Sequence, residues 1–485
     1  MVQRFSNQPF AGGFFSTLRF EGEILDCEVQ GEIPRGIRGT FYRLGGDWAY
    51  PPNSPLDAPF SADGYISMFR FANGRVDYRG RFVRTPRYIA NLSAGRQLFG
   101  IYRNRAADDP SVRSLSATVA NTTPVVHAGR LFATKEDARP YEIDPHTLET
   151  RGEWDFHGKY KSLTFTAHPK VDPVSGELIC FGYEATGEAS KEVFVYVIDR
   201  SGQVRREVRL EAPYVGEMHD MAITQSHIVL PLYPLTTDKE WLKEGNIHWY
   251  WDHRLPGYLC VLPRDGDAKD ARWIKGSPHA MVHTLNATLE GNRLVVDGSV
   301  SDANPFPFFP NRFGAPWSPE TGTGSIRRWV VDLDGKDEGW EEQQPFPTAP
   351  GGLPRIDDRF ISVPYRYGYM GYSDPARPFD VELTEGRAFP ITNCLGRFHM
   401  ASGKLDTLFV GSDGTLQEAC FVPRSAAAAE GDGYLVGVYD NLAESRSELL
   451  VVDATRMEEL ARVILPFKIS VQVHGTWAPY ETLPF

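Results

Sequence analysis

Apolar residues in this chain come in short runs, cut repeatedly by Gly, Asn, Asp, Ser and Pro, and the runs predict brief β-strands. Phe69 to Phe71, then Asn73-Gly74, then Val76 to Phe82 reads as strand, turn, strand. Asn-Gly suits such a hairpin because both residues tolerate the positive φ that a two-residue turn requires. Similar punctuation recurs at His127-Ala128-Gly129, Ser175-Gly176, Ser201-Gly202, Glu290-Gly291-Asn292, Asp334-Gly335 and Ser412-Asp413-Gly414. Between these turns, Val193 to Ile198, Arg293 to Val296 and Ser447 to Val452 are rich in strand-forming residues. Helical periodicity is nearly absent. The best candidate is Asp238 to Glu244, beside the aromatic stretch Ile247 to Trp251.

No linker, low-complexity tract or composition shift divides the chain, so residues 1–485 read as a single domain. Many short strands in a chain too long for one sandwich predict a barrel or a propeller. Four-stranded blades of about 60 residues would give about seven or eight of them. No repeat is visible as sequence identity, so this is an architectural inference.

Composition narrows the function by exclusion. A net charge of −12 gives no footprint for nucleic acid or an anionic membrane. No run of 18 apolar residues exists, and Met1 to Phe20 makes a poor secretory signal. Five cysteines, odd in number and without a CxxC pair, indicate neither a disulfide framework nor a zinc ribbon. The expectation is a cytoplasmic protein without nucleic-acid partners or membrane insertion.

Four of the twelve histidines stand in distinctive surroundings: His168 in Ala-His-Pro-Lys-Val-Asp-Pro, His219 in Met-His-Asp-Met-Ala-Ile-Thr, His283 in His-Thr-Leu-Asn-Ala and His474 in His-Gly-Thr-Trp. They are separated by 51, 64 and 191 residues, the last close to three times 64. One ligand per blade at a propeller axis would recur in this way. Four neutral imidazoles suit Fe, Cu, Ni or Zn. An octahedral ion with four protein ligands keeps two positions for reactants, whereas a tetrahedral zinc site would be closed. A two-histidine, one-carboxylate site using Asp220 or Glu217 beside His219 is the other arrangement open to iron. No GxSxG, P-loop, HExxH or GxGxxG motif is present.

Across most of the chain, these four ordered motifs resemble the carotenoid cleavage oxygenase family. The resemblance implies an all-β, seven-bladed β-propeller with a cap of loops and short helices over the axial metal. It implies one Fe(II) per chain, held by His168, His219, His283 and His474, with O₂ as co-substrate. Family glutamates that orient the imidazoles match Glu136 and Glu430. The third such motif reads Gly352-Leu-Pro-Arg here and lacks its glutamate, so either another acceptor or water replaces it or the local match is displaced by a residue or two. Thr122 falls where the family places a small residue near an open metal position.

Within the family, Phe60-Ser-Ala-Asp-Gly, Ile101-Tyr-Arg-Asn and Ala133-Thr-Lys-Glu-Asp are similar to the lignostilbene dioxygenase branch. That branch implies phenol binding by Phe60, Tyr102 and Lys135, with Tyr102 and Lys135 favouring a phenolate. It also implies cleavage of the central double bond of a 4-hydroxystilbene to two aromatic aldehydes. Phe306 and Phe308 are further candidates for the substrate pocket. A homodimer is suggested by the resemblance alone. Strand alternation would send the neighbours Lys135 and Glu136 to opposite faces, so both reach one site only if their segment is irregular. Cleavage of apocarotenoids or carotenoids is the nearest alternative, and a non-catalytic binding propeller the next.

Overall fold

The computed structural model describes residues 14, 16–336, 339–384 and 391–483; residues 1–13, part of the stretch read for a signal, lie outside them. Seven antiparallel sheets form the blades of a β-propeller. Blade 1 contains Gly39–Asp47, Asp63–Ala72 and Arg75–Phe82, with Gly22–Ile24 on its outer edge. Blade 2 runs from Pro124–His127 to Thr150–Glu153, blade 3 from Lys170–Val171 to Val204–Glu211, and blade 4 from Ala222–Ile223 to Arg272–Gly276. Blade 5 runs from Ala280–Glu290 to Glu341–Gln343, blade 6 from Tyr367–Tyr372 to Lys404–Phe409, and blade 7 from Gly414–Pro423 to Glu458–Ile464.

Two strand exchanges close the ring. His474–Pro479 pairs with Gly39–Asp47 as the inner strand of blade 1, placing His474 opposite Leu44. Glu28–Gly31 becomes the outer strand of blade 7 by pairing with Glu458–Ile464. Each closure ties one end of the chain to a blade formed mostly by the other end.

The hydrophobic pattern follows position within a blade. Middle strands are covered on both faces by neighbouring blades, so Glu192–Ile198 is a nearly continuous apolar run, with Val193 to Ile198 all buried. The outer strand Val204–Glu211 alternates instead, burying Val208 and Leu210 and exposing Arg205, Arg209 and Glu211. Between blades 1 and 7, Phe41, Phe69, Phe71 and Tyr78 pack with Val436, Val438, Leu449 and Val451. The Asn73-Gly74 hairpin forms as expected, with φ of 55° and 79°. The expected helix is Lys239–Lys243, capped by Asp238, whose carboxylate accepts the Trp241 N–H at 2.8 Å.

Blade 4 carries an insertion between its second and third strands. It includes Leu235–Thr236, the short helix and Tyr250–Trp251, the two strands forming a separate ribbon. Such insertions explain why blade periodicity leaves no trace as repeated sequence. Among the described residues, no helix is long and apolar enough to cross a membrane.

Candidate metal centre

The four histidines come from the start of inner strands or just before them. His168 precedes Lys170–Val171, His219 precedes Ala222–Ile223, His283 lies within Ala280–Glu290, and His474 opens His474–Pro479. Blades 3, 4, 5 and 1 therefore each supply one imidazole. Their ligand nitrogens all lie within 4.8 Å of one another. Nε2 of His219 is 3.0 Å from that of His168 and 3.2 Å from that of His283. Metal–imidazole bonds of about 2.1 Å give about 3 Å between neighbouring ligands at right angles, so the spacing fits a single ion.

The outer nitrogens fix which atoms point inward. Nδ1 of His219 donates to Glu136 at 2.5 Å, Nδ1 of His283 to the Gly352 carbonyl at 2.6 Å, and Nδ1 of His474 to Glu418 at 2.9 Å. With a proton on each Nδ1, these rings turn bare Nε2 lone pairs toward one another, an arrangement that only a cation makes favourable. Burial and the adjoining rings hold His168 and His283 well below the usual imidazole range. His219 is shifted upward, because Glu136 outweighs burial. The donor set fits a resident metal ion.

One expectation about these acceptors needs correction. Glu430 does not reach a histidine; its carboxylate accepts from the Arg366 and Tyr367 backbone N–H groups and pairs with the Arg366 guanidinium. Glu418 is the carboxylate on His474. It lies where the register of Gly414–Pro423 against Gly433–Asn441 slips between Leu416 and Ala419. Such a bulge re-aims side chains, and no local sequence signal marks this one. Burial would raise the Glu418 carboxyl, but Arg355, His474 and Arg43 hold it at about 2. The missing third glutamate is replaced by the main chain, through the Gly352 carbonyl.

The carboxylate alternatives are otherwise engaged. Asp220 pairs with Lys170 at 2.7 Å and accepts from Thr284 N–H and Oγ1 at 2.7 and 3.0 Å. Glu217 accepts from the Tyr233 hydroxyl at 2.6 Å, and burial raises its carboxyl to about 6.

A cavity of about 340 Å³ opens over the cluster and reaches His219, His283 and His474. Phe60, Tyr102, Thr122, Lys135, Glu136 and Phe306 also line it. Lys135 and Glu136 serve the same space because the chain leaves strand geometry after Ala133. The Lys135 ammonium is 3.9 Å from Glu136 and lies 5.3 and 5.5 Å from the ring centres of Tyr102 and Phe60. Lys135 is only 3% exposed. Among the described residues, neither its ammonium nor the Tyr102 hydroxyl has a protein hydrogen-bond partner. Burial pushes the Tyr102 hydroxyl well above its usual range, so it stays a donor. Phe308 does not line the cavity. It packs edge-on against Phe60, with ring centres 4.9 Å apart.

The chain matches, over residues 15–479, the family described as retinal pigment epithelial membrane protein. It is 39% identical over 478 residues to lignostilbene-alpha,beta-dioxygenase isozyme III of Sphingomonas paucimobilis, spanning 97% of each chain. It is 40% identical over 474 residues to isoeugenol monooxygenase of Pseudomonas putida, spanning 97% of this chain and 98% of that one. The crystal structure of Pseudomonas brassicacearum lignostilbene dioxygenase matches with a TM-score of 0.95 at 41% identity, covering 99% of this chain and 100% of the other.

Proposed function

Because this chain belongs to the carotenoid cleavage oxygenase family, that of the retinal pigment epithelial membrane protein, we propose that it is an Fe(II)-dependent dioxygenase cleaving the central double bond of 4-hydroxystilbenes. The observation that carries this reading is the pairing of two polar groups, Lys135 and Tyr102, in the wall of the cavity that reaches the histidines. An apolar polyene would leave the ammonium and the hydroxyl without a hydrogen-bond partner, at a cost of several kcal/mol. A phenol oxygen satisfies both, and Phe60 offers its ring an aromatic neighbour.

His168, His219, His283 and His474 would hold the iron, which when bound supplies the activation of O₂. The protein's own residues supply the rest. Tyr102 donates to the phenol oxygen, while the Lys135 ammonium favours its ionised form. Charge released from the phenolate into the conjugated system enriches the alkene. The apolar wall, including Phe306, excludes water from the reacting carbons. The balance closes without a reductant: one C=C and one O₂ become two C=O groups.

The test is aerobic turnover of 4-hydroxystilbene by the iron-loaded protein, with 4-methoxystilbene and isoeugenol run alongside. Cleavage of the hydroxystilbene to two aldehydes, with the ether inert, is the expected result. Cleavage of isoeugenol alone would move the reading to phenylpropenes, as in the relative named isoeugenol monooxygenase. Cleavage of neither phenol would overturn the reading and bring apocarotenoids forward.

A further inference from the structure

Tyr102 sits at a sharp turn between blades 1 and 2. Arg103, the next residue, has a φ of 50°, in the left-handed region that non-glycine residues avoid unless their surroundings hold them there. Contacts from elsewhere in the fold do so. Asp57 accepts the Tyr102 N–H at 2.8 Å, and the His248 N–H donates to the Tyr102 carbonyl at 3.2 Å. The His248 Nδ1 donates to the Arg103 carbonyl at 3.1 Å.

The Arg103 side chain turns away from the cavity. Its guanidinium donates to the Tyr183 hydroxyl at 3.0 Å and pairs with Glu184 at 2.5 Å. Glu184 also accepts His248 Nε2, at 3.1 and 3.2 Å from its two oxygens. Both ring nitrogens of His248 thus face oxygen atoms, the Arg103 carbonyl on one side and the Glu184 carboxylate on the other. All three side chains are almost fully buried. Burial alone would raise the Glu184 carboxyl, but His248 and Arg103 hold it at about 2.

We propose that Arg103, Glu184 and His248 are positioning residues for the Tyr102 hydroxyl, and so set the preference for a phenol over an unsubstituted ring. Glu184 follows the second strand of blade 3, and His248 lies in the blade 4 insertion. The three therefore lock the Tyr102 turn to two neighbouring blades. Buried charges held in a ring of this kind tolerate few other geometries, because a displaced partner leaves the remaining charge unpaired. The inference rests on the phenol reading of the cavity.

The experiment uses iron-loaded protein and two probes that lack the alkene, 4-hydroxybibenzyl and bibenzyl, with dissociation constants measured by calorimetry. The wild type is expected to prefer the hydroxylated probe, and Tyr102→Phe to lose most of that preference. His248→Gln and Glu184→Gln should each cut it by about tenfold while leaving bibenzyl affinity and bound iron nearly unchanged. Neither should lower it further in the Tyr102→Phe background. Arg103→Lys, which keeps the charge, should retain more of the preference than Arg103→Met. If one variant does not fold, the others report the same ratio. No preference in the wild type would overturn the phenol reading itself. A preference lost in Tyr102→Phe but intact in the His248 and Glu184 variants would overturn the positioning role. Equal loss of affinity for both probes would overturn it too.

Discussion

The carbonyl oxygen of Gly352 stands 2.6 Å from Nδ1 of His283, so a main-chain atom does for this imidazole what glutamates do for His219 and His474. A carbonyl carries no net charge, so His283 is held in its tautomer without the added anionic character of the other two pairs. This dependence on the backbone leads to the first prediction.

Gly352→Ala should leave metal content and turnover within about twofold of wild type. A Cβ at residue 352 meets nothing within 4 Å, and its φ is not in the left-handed region. Gly351→Ala is the contrast. Its Cβ would lie 2.6 Å from the Gly371 carbonyl oxygen and 2.8 Å from Met370 Cε, an overpacking that costs about 1–3 kcal/mol. Thermal unfolding with metal analysis on both variants checks the pair.

Glu418→Gln should weaken metal retention by roughly 10- to 100-fold, whereas Glu430→Gln should leave it unchanged. The first residue touches His474; the second touches Arg366. Competition with a chelator gives the two affinities. Equal effects from both changes would contradict the assignment.

Lys135→Met should lower kcat/KM for a 4-hydroxystilbene by roughly 10- to 100-fold, the worth of a charged hydrogen bond, with bound iron unchanged. Parallel loss of metal and turnover would instead make Lys135 a structural partner of Glu136, 3.9 Å away.

Acid should destabilise the fold partly through Glu184. Its carboxyl is held at about 2 in the folded chain against an ordinary 4.5, so it stabilises the fold above pH 4.5. That contribution is lost progressively as pH falls from 4.5 toward 2. Between those limits the wild-type Tm should fall more steeply than that of Glu184→Gln, as followed by circular dichroism.

The strand-and-turn rhythm, the Asn73-Gly74 hairpin and the Asp238-capped helix were all legible in the sequence, because each depends on neighbours a few residues apart. The four histidine motifs were legible too, through family resemblance, and the structure brings their nitrogens together. Glu418 was not, because a register slip in blade 7 decides where it points, and such a slip is settled by pairing with Gly433–Asn441. Glu430 was misjudged for the same reason: a motif gives a position along the chain but not a direction in space.

By itself, then, the sequence determined the all-β class and, through its family resemblance, picked out the four histidines that cluster and the candidate residues of the proposed phenol pocket. The first follows from local periodicity, which needs only neighbouring residues; the others follow from motifs matched to the family, which survive as positions along the chain. Only the tertiary structure decided that Lys135 and Glu136 share one cavity, that a Gly352 carbonyl stands in for a carboxylate, and that His248 reaches the turn of Tyr102 and Arg103. The last two contacts join residues 69 and 145 positions apart in the sequence, and packing around the ring, not local preference, sets their distances.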